Sequence, residues 1–253
     1  MKKTNGGKFI FALAALTIAF SLASCAPEKA GPAVSTDFVR SGMMSKFNDL
    51  PFHKAWFKEG IQLNQYSNIY IAPVDTTRLL KMDWWDNLER ENDFKNDLKD
   101  LALFTQTTFI NAFNTDPGRR FKIVGYPAGE KTLIFEISLT EVIPNKAVLQ
   151  SLSYAGGPVA RGVGMVAGSV FRSTVHSTVA FEARIKDALT KEVIAMFADR
   201  ESEKASLFNV NDFTWYGHAK SIIQEWADQF VQVLKKKNGE VIEDSESFQW
   251  KAW

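Results

Sequence analysis

Cys25 is the only cysteine in the 253-residue chain, and it closes the stretch Leu22-Ala23-Ser24-Cys25. A lone cysteine excludes an intramolecular disulfide. The other residue types that could do chemistry are dispersed. The histidines are His53, His176 and His218. They fall on three separate elements, whereas a metal site needs ligands clustered at short spacing. Each reads as a surface or satisfied histidine, and no metal or cofactor is expected. No G-x-S-x-G elbow occurs, and the glycines form no G-x-x-x-x-G-K-[ST] phosphate loop. Asp83, Asp86, Glu89, Glu91, Asp93, Asp97 and Asp100 cluster, but Arg78, Lys81, Arg90, Lys95 and Lys99 interleave with them. That pattern reads as a solvated helix face with i,i+4 pairing rather than as paired catalytic carboxylates.

The sequence before Cys25 gives the cysteine its context. Lys2, Lys3 and Lys8 make a basic start, and Phe9 to Leu22 is apolar apart from Thr17 and Ser21. As a helix this run would reach about 21 Å, short of a hydrocarbon core about 30 Å thick. It has the length of a cleavable signal segment. Leucine, two small residues and cysteine then resemble the lipobox of bacterial lipoproteins. The resemblance implies cleavage between Ser24 and Cys25, diacylglycerol on the Cys25 sulfur and acylation of the new N-terminus. Three acyl chains at ~0.8 kcal/mol per buried methylene hold far more firmly than one. Ala26 stands where an aspartate would resemble the inner-membrane retention signal of enteric bacteria, so the outer membrane is the expected location, with the domain facing the periplasm.

Removing the three leader lysines leaves 27 basic against 29 acidic residues, a formal charge of −2. A basic stripe is the minimum footprint of a nucleic-acid binder, so no nucleic-acid partner is expected. Expected divisions are a signal peptide over 1–24, the lipidated cysteine and a tether over 25–35, a periplasmic α+β domain over 36–237, and a tail over 238–253. The Pro- and Gly-containing tether would extend at most roughly 35 Å.

Within the domain, residues 37–56 read as a short helix and loop. Ser67 to Val74 is a strand, with Pro73 at an edge or strand end. Phe94, Leu98, Leu101, Thr105, Phe109 and Phe113 space a helix over Asp93 to Phe113, and Asp116-Pro117-Gly118 ends it. Phe121 to Gly125 is a short strand. Thr132 to Val142 is a longer one, with Leu133, Phe135, Ile137 and Leu139 on one face. Val175 to Lys186 alternates as a half-solvated strand, and Glu192 to Asp199 returns as its hairpin partner. Asp212 to Lys236 is an amphipathic helix with Trp215, Ala219, Ile222, Ile223, Trp226, Phe230, Val233 and Leu234 in its stripe. The expected fold class is α+β: a largely antiparallel sheet of about five strands, with two main helices packed on one face.

Several pieces together carry a family resemblance. They are the strand from Val179, the turn from Lys186 to Val193, then Ala198-Asp199-Arg200, the early Ser41-Gly42 pair and the strand end Ile71-Ala72-Pro73-Val74. They are similar to the bacterial lipoprotein family called domain of unknown function 3313, over about residues 36–236. That family often has glycine in the hairpin turn, where this chain has Lys191. It has no established activity to transfer, so the resemblance implies no catalytic residue.

Two stretches could form contact surfaces. Residues 147–171 carry one charge, Arg161, and five glycines. Gly156, Ala160, Gly164 and Gly168 recur every four residues and would let another backbone come close. The same stretch also reads as a long connection over the protein's own sheet. Trp250 and Trp253 in the tail would either fold back or dock. The expected function is a non-enzymatic binding or assembly module on a lipid anchor, with a protein partner or a second copy as its associate. The alternatives are a subunit of an oligomeric outer-membrane secretion complex, with residues 144–171 in the membrane, and an envelope enzyme whose site is assembled from scattered residues.

Overall fold

Twelve residues of β-prone sequence, Thr132–Ile143, form the longest strand, and its alternation sets the frame for the rest. This computed structural model describes residues 30–79, 91–143, 177–202, 205–206, 216–245 and 248–249. In chain order the elements are β1 Lys54–Phe57, β2 Asn68–Ile71, α1 Glu91–Thr115, β3 Lys122–Ile123, β4 Thr132–Ile143, β5 Thr178–Asp187, β6 Val193–Ser202, β7 Ala205–Ser206, α2 Gly217–Lys235 and β8 Phe248–Gln249. Six strands make one sheet in the order β1-β6-β5-β4-β2-β3, while β7 and β8 pair separately. The fold is α+β, with one strand more in the main sheet than expected.

Three of the five sheet pairings are antiparallel and two, β2–β3 and β2–β4, are parallel. The parallel pairs arise because α1 lies between β2 and β3 and carries the chain back to the same end of the sheet. Strand β2 stops before Pro73, which has no N–H to donate. Pairing with β4 resumes at Asp75, whose N–H reaches the Ile137 carbonyl at 2.9 Å.

On one face, Leu133, Phe135, Ile137, Leu139, Phe181, Ala183, Ile185 and Phe197 pack with Phe109 of α1 and the stripe Ile222, Ile223, Trp226 and Phe230 of α2. Burying each large apolar side chain contributes about 1.5–3 kcal/mol before conformational entropy is counted. Lys235 in the last turn of α2 reaches Asp116 just past α1 at 2.6 Å, tying the two helix ends. Trp215 lies outside the described residues.

Two expectations about the opposite face fail. Residues 37–56 hold only a 3-10 turn, Ser41–Met43, and then enter β1. The short run Lys54-Ala-Trp-Phe57 shows too little alternation to announce a strand. Strand β5 is not half solvated either: Thr178, Ala180 and Glu182 are buried. The cause is the N-terminal segment, which lies across the sheet and shuts out water. Phe38, Val39 and Met44 pack there against Met196, with Trp56, Val193 and Ala198 around them.

The β5–β6 turn contains Lys191 at φ +61, a left-handed conformation that costs a side chain with a Cβ. Lys191→Gly is therefore expected to stabilise the fold by about 0.5–1 kcal/mol, read by thermal unfolding. Asp187 starts this turn and accepts the Tyr66 hydroxyl at 2.8 Å. Burial first, then that hydrogen bond, push the Tyr66 phenol up to about 12. Its unfolded value is about 10, so its contribution is whole below about pH 10 and vanishes as pH rises through about 12. An ultraviolet alkaline titration should show one tyrosine ionising near that upper value.

Candidate functional site

The polar side chains on the outer sheet face hold the N-terminal segment, hereafter the strap, residues 30–44. Glu182 of β5 is 2% exposed and accepts two bonds from Thr36: the backbone N–H at 2.8 Å and the hydroxyl at 2.5 Å. Arg184 donates to the Phe38 carbonyl at 3.1 Å and lies over the Phe38 ring, 4.3 Å from its centroid. Arg78 approaches the same ring at 5.2 Å, so two cations use its π face. Arg200 donates to the Gly31 carbonyl at 3.3 Å and to Glu141 at 2.7 Å. The tether expected over residues 26–35 is thus seated on the domain from Ala30 onward.

Ion pairs stiffen this face. Glu136 accepts from Arg184 and from Lys186, the latter at 2.9 Å. Burial works to raise the Glu136 carboxyl, but the two cationic donors outweigh it and hold it below the ordinary carboxylate value. Asp75 is likewise held low. Its burial is outweighed by Thr77, which donates through its N–H and hydroxyl, and by Arg78. Arg78 also reaches Asp37 on the strap at 2.6 Å.

At the hairpin end, the strap and β6 enclose a cleft of about 660 Å³. Phe38, Met43, Trp56, Val193 and Met196 give it apolar walls, and Arg40, Lys58 and Glu192 stand among its charged groups. Lys58 and Glu192 pair at 2.6 Å across it. A cleft of this size and lining suits a small ligand or an inserted side chain. The strap itself supplies one wall, so seating the strap builds the cleft.

A second cluster joins the strap to the helices. Asp199 of β6 has a side chain with no exposed surface. One carboxylate oxygen accepts the Trp226 indole N–H of α2 at 2.9 Å. The other meets the His53 backbone N–H at 3.0 Å and its Nδ1 at 2.5 Å. The far side of that imidazole, Nε2, lies 2.8 Å from the Ala30 carbonyl. Among the described residues, no group of three or more His, Cys, Asp or Glu could hold a metal ion, and no helix is long and apolar enough to cross a membrane.

Against this geometry, the chain matches the family model described as Protein of unknown function (DUF3313) over residues 45–230. It belongs to that family. No curated protein matches this DUF3313 chain. Two solved structures of the PelC dodecamer from Paraburkholderia phytofirmans are similar at 8% identity. Their TM-scores are 0.39 and 0.36; they cover 73% and 71% of this chain, and 98% and 97% of their own. Protein XCC0632 from Xanthomonas campestris, of family DUF330, is similar at 8% identity and a TM-score of 0.33, over 68% of this chain and 86% of that one. Likeness of this extent carries nothing about how the DUF3313 chain assembles.

The site residues expected from sequence, Ser24, Cys25, Gly156, Ala160, Gly164, Gly168, Trp250 and Trp253, lie outside the described residues, as does His176. Of the other histidines, His218 is buried at 5% exposure on α2 and His53 sits in the Asp199 cluster. Sequence reasoning missed Asp199 as a partner, yet a signal existed. It follows Ala195 and Phe197 at inward positions of β6, and a carboxylate in that register must be paired.

Proposed function

We propose that this DUF3313 protein is an outer-membrane lipoprotein, anchored through acylated Cys25, whose periplasmic domain binds a partner or assists envelope assembly. The observation that carries this reading is the seated strap. Only four residues, Ala26 to Lys29, separate Cys25 from the docked Ala30. Five extended peptide steps span at most roughly 18 Å, so an acylated Cys25 keeps the domain beside the bilayer. The cleft that the strap completes gives this domain a place to bind without catalytic groups. Metabolic labelling with radioactive palmitate tests the reading. Label in the wild type, and a Cys25→Ser form that stays unlabelled and leaves the membrane fraction, is the expected result. An unlabelled wild type contradicts it.

A second reading has its own support. Residues 144–176 leave the sheet at Ile143 and return at Thr178, which pair with each other, and Thr178 also pairs with Ser202. Arg200, two residues before that end, holds Gly31. The connection, whose charges are Lys146, Arg161 and Arg172, therefore starts and ends at the end of the sheet where Arg200 holds the incoming strap. That favours contact of residues 144–171 with the membrane or with another copy in an oligomeric complex. Size measurement in mild detergent would show a monomer if this reading is wrong.

A further inference from the structure

We propose that the cleft of about 660 Å³ between the strap and β6 binds a small anionic amphiphile, its apolar tail against Phe38, Met43, Trp56 and Met196 and its carboxylate or phosphate head on Arg40. Such a site rests on the reading above that this cleft is where the domain binds, and is independent of the lipid anchor. The walls call for a tail. They offer ring faces, hydrocarbon and thioether sulfur, with little to hydrogen-bond. Met43 is 46% exposed and Trp56 is half-buried, so this apolar surface still meets water and gains by being covered. Met43 and Met196 are unbranched and polarisable, and they repack readily around a flexible chain. Phe38 does not move in to close the space, because Arg184 holds its carbonyl at 3.1 Å and its ring at 4.3 Å. The cleft is therefore largely formed before a ligand arrives.

The sign of the head follows from which charges are already matched. Arg40, Lys58, Arg184 and Lys191 line the cleft against Asp37 and Glu192. Glu192 is paired with Lys58 at 2.6 Å, Asp37 with Arg78 at 2.6 Å, and Arg184 with Glu136. Arg40 and Lys191 remain. The Lys191 ammonium meets the Pro127 carbonyl at 3.2 Å, a neutral acceptor that leaves its charge uncancelled. The chain keeps this lysine at φ +61, a strained position that fits a use for its charge at the rim. Arg40 is exposed, and its guanidinium has no acidic partner among the described residues. Its backbone N–H meets the Met196 sulfur at 3.5 Å, which fixes the Arg40 main chain against the apolar wall. The planar fork of the guanidinium matches the paired oxygens of a carboxylate or a phosphate. A cationic head would meet the same unmatched charges and be repelled.

Carbon-13 methyl spectra of the methionines, in the full-length protein in nanodiscs, read the cleft directly through Met43 and Met196, assigned by their leucine variants. The probes are octanoate and octyl phosphate, with empty nanodiscs to correct for partition into lipid. Saturable shifts of both methyl signals are expected. Arg40→Gln should weaken binding by about tenfold or more, the effect of losing a charge-assisted hydrogen bond. Arg40 is exposed, so the variant keeps its fold. Acetate, a head without a tail, and octylammonium, a tail with the opposite charge, should leave both signals in place. No saturable shift with either anion, undiminished affinity in Arg40→Gln, or an equal response to acetate or octylammonium overturns the proposal. Palmitate labelling reports separately on the anchor. A labelled protein that ignores both anions defeats this ligand assignment alone. An unlabelled protein that binds them, measured without nanodiscs, supports the assignment and defeats the anchored reading alone.

Discussion

Asp199→Ala is expected to lower the free energy of unfolding by about 3–5 kcal/mol. The carboxylate is fully buried and joins two distant parts of the chain: it accepts the Trp226 indole N–H of α2 and meets both the backbone N–H and the ring of His53. Alanine leaves the indole N–H and the backbone N–H buried without an acceptor, at about 1–3 kcal/mol each. Asp199→Asn keeps one acceptor oxygen and is expected to cost about half as much. Urea unfolding checks both, with the midpoint falling and the slope unchanged. A loss for alanine below about 1 kcal/mol would mean that Trp226 and His53 find other acceptors.

Phe230→Ala comes next, at about 3–5 kcal/mol. Phe230 is fully buried on α2, and its ring lies 4.5 Å from that of Phe52, 4.8 Å from Phe135, 5.1 Å from Phe197, 5.4 Å from Phe181 and 5.6 Å from Phe109. One ring thus joins the segment before β1, three strands and both helices. Truncation opens a cavity whose walls, built from separate elements, cannot close together. Phe230→Leu keeps most of the volume and should lose markedly less. Calorimetric unfolding of both variants tests this, and equal losses would mean that the aromatic contacts are dispensable.

Elements with strong periods were legible in the chain. The spacing of Leu98, Leu101, Phe109 and Phe113 gave α1, and Ile222, Ile223, Trp226 and Phe230 gave α2. Alternation gave β4, β5 and their hairpin partner, and the pieces around Ala198-Asp199-Arg200 carried the DUF3313 resemblance. Strand β1 was not legible, because four residues beside a 3-10 turn are stabilised by pairing with β6 rather than by local pattern. The polar residues of β5 looked like a solvated face for a related reason. Glu182 is polar in sequence, and the strap, distant along the chain, covers it through Thr36. Alternation reports which residues share a face, not what covers it. The strap looked like a tether because Pro32, Gly31 and the small residues around them lack a hydrophobic period. They are held instead through backbone carbonyls, at Ala30 and Gly31, which any sequence provides.

Mass spectrometry of the N-terminal peptide from protein purified out of membranes tests the central claim most directly, that this domain is strapped to a lipid on its one cysteine. The account predicts a mature chain that begins at Cys25 and carries acyl mass on the peptide Cys25-Ala26-Pro27-Glu28-Lys29. A chain that still begins at Met1, or one cut elsewhere with an unmodified Cys25, would contradict it.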